Sequence, residues 1–353
     1  MKVLYLTKYS RKGASSRLRS YQFFPLLEAA GWQVDVKPFF DDRYLDRLYG
    51  GQKQPLSALI GYYLRRLALL FTVKRYDRVV IEKEVFPYFF SWPERLLSLL
   101  GVVTLVDYDD AIFHNYDLSP SRLVRRALGK KIDRVMRCSS VVMAGNQYLA
   151  GRAAAAGART IVLQPTVIAI ERYQVVPRSP DATVVIGWIG SPSTFKYLKT
   201  LTPVFQRLVA RFDVRIAVVG ASESLGLGDA AVSIPWSEET EVSAINGFDI
   251  GIMPLDDTPW ERGKCSYKLI QYMGCGLPVV GAPVGMNVDV IAEGVNGFFA
   301  RTEDEWESRL AALVADPGLR ERMGREGRRI AETRFDLKGN AATLLKLLAD
   351  AKP

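Results

Sequence analysis

The chain has 353 residues, long for one domain and comfortable for two, with the 48% hydrophobic and 24% charged content of an ordinary globular protein. Three scattered cysteines (Cys138, Cys265, Cys275) and one histidine, His114, exclude a disulfide framework and a Cys/His zinc site. The net charge of +9 is uneven: residues 1–170 hold 26 Lys and Arg against 14 Asp and Glu (+12), and residues 171–353 hold 21 against 24 (−3).

Lys2–Thr7 predicts an apolar strand. A loop, a helix from about Ser16 to Ala30 stopped at Gly31, and a strand over Trp32–Pro38 follow. That order opens a parallel sheet of βα units. The small-residue loop Gly13-Ala14-Ser15-Ser16-Arg17 sits where a ligand loop belongs, at a strand's carboxyl end, which makes Gly13 and Arg17 binding candidates. Arg19 reads as solvated. Residues 56–71 set aromatics and leucines around Arg65-Arg66. Two readings stand: an interfacial amphipathic helix, or an ordinary helix packed on the sheet. The basic half-chain favours the first, with an anionic membrane surface as partner. Nucleic acid is not expected, because no helix-turn-helix, zinc or RNP-like signature accompanies the charge. No apolar run approaches the ~20 residues that cross a bilayer. The opening MKVLYLTKYS reads as a strand and not as a signal peptide. A cytoplasmic setting is expected, peripheral at the inner face of the membrane where lipid is met.

Arg78–Glu82 and Val102–Val106 are the next strands, and the latter runs into Asp107-Tyr108-Asp109-Asp110. Carboxylates packed at a strand end are costly unless they hydrogen-bond or act. A helix over Arg122–Arg137 and strands at Val141–Ala144 and Thr160–Leu163 close the first half. Residues 171–182, with Pro177 and Pro180, read as a linker. The pattern restarts at Val184–Ile189, which ends in Gly190-Ser191-Pro192. A helix over Leu198–Arg211 and strands at Arg215–Val219, Val232–Pro235 and Ile250–Pro254 follow, with Trp236 expected in the core. A charged helical region, Glu303–Arg329, and a helix near Gly339–Ala351 end the chain. The expected fold is α/β: two Rossmann-like, doubly wound domains, 1–170 and 183–335, facing a central cleft. The terminal helix, within 336–353, is expected to pack back on the first domain.

The most specific stretch is Pro259–Gly285, PWERGKCSYKLIQYMGCGLPVVGAPVG. A polar turn with Glu261, Arg262 and Lys264 enters an apolar-periodic helix stopped at Gly274-Cys275-Gly276-Leu277-Pro278. Unpaired N–H groups and the positive dipole end at a helix start suit a phosphate. Lys264 and Lys268 sit at that end, where cations are otherwise unfavourable, so an anion between them is expected.

Gln271-Tyr272-Met273-Gly274-Cys275-Gly276-Leu277-Pro278 resembles the tail of the Glu-x7-Glu motif of family 4 retaining glycosyltransferases, which have the GT-B fold. Gln271 stands where that family's second Glu meets the donor ribose, and Gly263 where its first Glu meets the sugar, with Glu261 two residues away. The resemblance implies transfer of a sugar from a nucleotide-diphosphate donor to a glycan or lipid-linked acceptor, in envelope or exopolysaccharide assembly. It puts Gly190, Ser191, Lys196, Lys264, Ser266, Tyr267, Lys268 and Gln271 at the donor. Asp109, Asp110 and Glu261 become the catalytic candidates, acting by positioning and electrostatics. Neither a metal nor a cofactor besides the donor is expected. His114 reads as a local structural or acceptor-loop residue. An Asp107-x-Asp109 metal site of the GT-A type would leave the second βα set unexplained. A dehydrogenase lacks its Gly-x-Gly-x-x-Gly, and a P-loop hydrolase its Gly-Lys-Ser/Thr loop. The rival from another class is a non-catalytic sugar-nucleotide-binding scaffold, suggested by the loss of both motif glutamates.

Overall fold

The computed structural model describes residues 1–177 and 183–352, so residues 178–182 of the expected linker lie outside it. The chain forms two compact units. One comprises Met1–Thr166 with Arg262–Cys265 and Asn340–Pro353, and the other Val167–Glu261 with Ser266–Gly339. The α/β class holds in both.

In the first unit the strands are β1 (Lys2–Leu6), β2 (Gln33–Val36), β3 (Arg78–Glu82), β4 (Thr104–Tyr108), β5 (Val141–Ala144) and β6 (Ile161–Leu163). They form one sheet in the order β2-β1-β3-β4-β5-β6. Every pairing is parallel. The central strands are buried along their length, as apolar strands with both faces covered must be. The order reverses between β1 and β3, so their carboxyl ends border a crevice.

The second unit's sheet comprises β7 (Val184–Ile189), β8 (Val214–Val219), β9 (Ala231–Ile234), β10 (Ile250–Met253), β11 (Val279–Gly281) and β12 (Gly297–Phe299). Its order, β12-β11-β10-β7-β8-β9, is the dinucleotide-fold arrangement, with its reversal between β7 and β10. Trp188, Phe195, Phe205, Ile250 and Trp306 are among its core residues.

Several expected helices are divided. The span 16–30 becomes Ala14–Arg19 and Phe24–Ala29, and 198–211 becomes Pro192–Lys199 and Thr202–Arg211. The C-terminal region splits into Glu303–Ala315 and Pro317–Arg334. In each case a proline (Pro25, Pro203, Pro317) stands in the first turn of the second piece, where its missing N–H costs nothing. The span 122–137 also breaks, into Arg122–Leu128 and Lys131–Cys138, around Gly129. Among the described residues no helix is long and apolar enough to cross a membrane.

Candidate active site

In the first unit the carboxyl ends of β1, β3 and β4 gather charge. Glu82, the last residue of β3, is 2% exposed and accepts from the Lys8 N–H (3.0 Å) and the Ser16 hydroxyl (2.6 Å). Lys83 follows with φ +69°, left-handed backbone that a lysine rarely adopts. Its ammonium meets Asp109 Oδ1 at 2.9 Å and Asp110 Oδ2 at 3.7 Å and donates to the Ser15 hydroxyl (3.2 Å). Ser15 in turn donates to Asp109 Oδ2 at 2.5 Å. Arg19 is buried, 7% exposed, and engages both oxygens of Asp107 while donating to the Gln164 carbonyl (2.8 Å). The expectation that Arg19 is solvated is therefore wrong. Asp107 is buried at the end of β4, and an unpaired charge there would cost several kcal/mol, which the fork of Arg19 offsets.

The aspartates titrate apart. Burial alone would raise the Asp109 carboxyl, but the charges of Lys83 and Arg19 and the Ser15 bond outweigh it and hold the group at about 2. Asp110 is raised above the ordinary value by burial and then by the neighbouring Asp109 charge, although Lys83 and Lys264 oppose this. Its side chain is 32% exposed against 14% for Asp109, so Asp110 is the aspartate nearer to solvent.

Residues 262–265 dock on this unit. The Asn146 amide donates to the carbonyls of Arg262 (3.2 Å) and Lys264 (3.0 Å), and the Cys265 thiol donates to the Asp109 carbonyl (3.1 Å). Gly263 packs so closely that a Cβ would lie 2.5 Å from the Ala111 nitrogen. A side chain at this position, where the resembled motif has its first Glu, would clash with the Ala111 backbone. The segment brings Lys264, expected at the diphosphate, to act on Asp110. Gly13 caps the helix Ala14–Arg19, and Arg17 is buried in that helix. His114 is satisfied locally, by Asp117 on one ring nitrogen and the Tyr148 hydroxyl on the other, both at 2.8 Å.

In the second unit the helix Tyr267–Gly274 is anchored at the strand reversal. Tyr272 is fully buried, and its ring occupies the space a side chain at Gly251 of β10 would fill, 2.3 Å from the ideal Cβ. Its hydroxyl accepts from the Ile189 N–H (2.9 Å) at the end of β7. One turn earlier, Lys268 lays its ammonium 4.3 Å from the Trp188 ring centroid and 3.5 Å from the Thr194 hydroxyl. A Cβ on Gly190 would come within 2.5 Å of that ammonium, so the glycine is what admits it to the strand end. The helix Pro192–Lys199 begins at the same place, and its N-cap Ser191 caps no backbone N–H with its side chain, bonding the Ser193 hydroxyl (2.9 Å) instead. Gly190, Ser191 and Lys268 thus converge at the β7/β10 reversal: a cation, a helix N-terminus and an exposed turn.

The other expected donor residues take separate places. Ser266 has φ +51° and is buried, with its hydroxyl bonded to Asn287 Oδ1 (2.7 Å). The Gln271 amide donates to the Tyr173 hydroxyl (3.1 Å), which also lies 3.4 Å from the Tyr267 hydroxyl. Lys196 is exposed and lies over its neighbour Tyr197. Glu261, 5% exposed, accepts from the hydroxyls of Tyr197 and Thr258. A cavity of about 480 Å³ opens beside it at the ends of β10, β11 and β12, lined by Tyr197, Pro254, Asp256, Ala282 and Arg301 among others. Trp236, expected in the core, is 42% exposed and donates to Glu241 (3.1 Å), because β9 is an edge strand.

Sequence reasoning missed Glu82, Lys83, Asn287 and the cavity. For the first pair a signal existed, since two charges close an apolar strand. Asn287 and the cavity come from segments that only the fold brings together.

Residues 183–316 match the family model described as Glycosyl transferases group 1. A D-inositol 3-phosphate glycosyltransferase of Xylanimonas cellulosilytica is 40% identical over 79 residues, 22% of this chain and 19% of that protein. The chain thus matches about a fifth of this curated relative's length. Sucrose-phosphate synthase from Thermosynechococcus elongatus superposes with a TM-score of 0.76 at 13% identity, over 99% of this chain and 98% of that one. Anabaena HepE in complex with UDP and glucose gives 0.74 at 17% identity, over 99% of each chain. At these identities the two structures speak for the fold. Residues 183–316 are accordingly similar to the group 1 glycosyl transferases, within a chain of the GT-B fold.

Proposed function

We propose that the protein transfers a sugar, with retention, from a nucleotide-diphosphate donor to a glycan or lipid-linked acceptor in cell-envelope or exopolysaccharide assembly. The observation that carries the donor half is the Lys268 ammonium held over Trp188 at the β7/β10 reversal, where Gly190 leaves room for it. A diphosphate leaving group develops charge as the glycosidic bond breaks. A preorganised ammonium and the N–H groups at the start of Pro192–Lys199 stabilise that charge without a divalent ion. Asp109, fixed as an anion, and Asp110, nearer to solvent, position the acceptor hydroxyl. The solved complex of HepE with UDP-glucose supports a uridine donor as the first to test.

The test is nucleotide release from UDP-glucose, and from the GDP, ADP and dTDP sugars, with the product anomer read by NMR. Lys268→Ala should lower kcat/KM by about 10²-fold, the scale for losing one preorganised charge partner. Unchanged turnover in Lys268→Ala, or an inverted anomer, would contradict the respective half of the proposal.

A second reading has its own observations. Gln271 donates to Tyr173, both Glu261 oxygens carry hydroxyl donors, and Gly263 excludes a side chain. These fit a member that binds the sugar nucleotide without turning it over. Binding without nucleotide release, against every acceptor and water, would decide for it.

A further inference from the structure

The helix Leu56–Leu70 buries Arg66 between Tyr62 and Leu70 and leaves a second apolar stripe outside. Arg66 is 2% exposed and donates to the carbonyls of Thr7 (2.9 Å) and Lys37 (3.0 Å), while Leu56, Ile60 and Leu64 are 72%, 50% and 60% exposed. Spacing of four residues puts those three on one outward stripe, and Phe71, 85% exposed, continues it past the helix end. A helix packed on a sheet ordinarily leaves a polar face outside. The stripe does not stand alone. Tyr63, beside it, stacks on Phe86 (5.7 Å between centroids), and Phe86 meets Phe89 edge-on. Tyr88, with left-handed φ of +54°, then turns the chain so that Tyr88, Phe89 and Phe90 are all exposed. Exposed apolar surface of this extent marks an interaction site.

Along the chain its rim has one sign of charge. Between Asp46 and Asp77 there are five exposed Lys and Arg (Arg47, Lys53, Arg65, Lys74 and Arg75), the buried Arg66, and no acidic residue. A second copy docked face to face would oppose like charges, whereas an anionic bilayer surface complements both the apolar stripe and its rim. We propose that this face of the first unit, Leu56–Phe71 with the aromatic loop 88–90, seats on an anionic lipid surface, with the stripe entering the headgroup boundary. The inference does not depend on the donor reading, because its readout is binding and not turnover.

The experiment is co-sedimentation of the full chain with vesicles of phosphatidylcholine alone and of phosphatidylcholine with phosphatidylglycerol, over a salt series. Expected is binding to the anionic vesicles that weakens with salt and falls at least about tenfold in Ile60→Ser/Leu64→Ser, since two apolar insertions are lost. Those side chains are exposed, so the variant should melt with the parent. Lys74→Glu/Arg75→Glu should weaken anionic binding without altering the melt. No binding to anionic vesicles at low salt, or equal binding by the Ile60→Ser/Leu64→Ser variant, overturns the proposal. So does a dimer in sedimentation velocity that this variant dissociates, for then a second copy covers the stripe.

Discussion

Arg19 and Asp107 show how a single pair ties the end of β4 to the helix after β1. Arg19→Ala leaves a carboxylate buried without its partner and should destabilise the first unit by about 3–5 kcal/mol. Combining it with Asp107→Asn should recover much of the loss, and urea unfolding of the three variants measures it. A double variant no better than Arg19→Ala would mean that the pair's charge is not what matters. The neighbouring aspartates give stability contributions of opposite pH dependence. Asp109, held at about 2, adds stability that is complete above its unfolded value near 4 and is lost as pH falls through about 2. Asp110, with its pKa raised, adds stability that is complete below its unfolded value and lost as pH rises through the raised one. Asp109→Asn should therefore flatten the fall in unfolding free energy below about pH 4, and Asp110→Asn the decline above it. Parallel profiles for the two variants would contradict this assignment. The sequence displayed Asp107, Asp109 and Asp110 as a costly cluster, but not their partners. Arg19 lies 88 positions from Asp107 and Lys83 26 from Asp109, so only the parallel pairing of β1, β3 and β4 brings them together.

At the scale of elements, apolar runs made the strands legible, because a strand buried on both faces reads as unbroken Val, Ile and Leu. Helix ends were harder. Pro25, Pro203 and Pro317 each start a new helix where the apolar period simply continues, so one expected helix became two. The segment 262–265 was legible as a turn entering a helix but not as a piece of the first unit. Its attachment rests on Asn146 and on the close approach of Gly263 to Ala111. Gly263→Ala should cost about 1–3 kcal/mol by overpacking. By freeing Lys264 it should also push the Asp110 pKa further up, readable by NMR titration. An unmoved Asp110 would show that the segment does not place the charge.

For the whole molecule, the doubling of βα sets was visible from the spacing of strands and glycines, and the two six-stranded parallel sheets follow it. The charge asymmetry was also visible. What the sequence withheld was its placement, since the period of residues 56–71 fits a stripe facing in or facing out, and only the burial of Arg66 decides. The central claim is that the β7/β10 reversal holds a nucleoside diphosphate through Lys268, and a thermal-shift panel of UDP, GDP, ADP and dTDP with and without Mg²⁺ tests it most directly. One diphosphate should raise the melting temperature of the parent without metal, because a ligand that binds only the native state stabilises it. Lys268→Ala should lose that shift while melting near the parent when unliganded. A panel with no shift, or an equal shift in Lys268→Ala, would contradict the account.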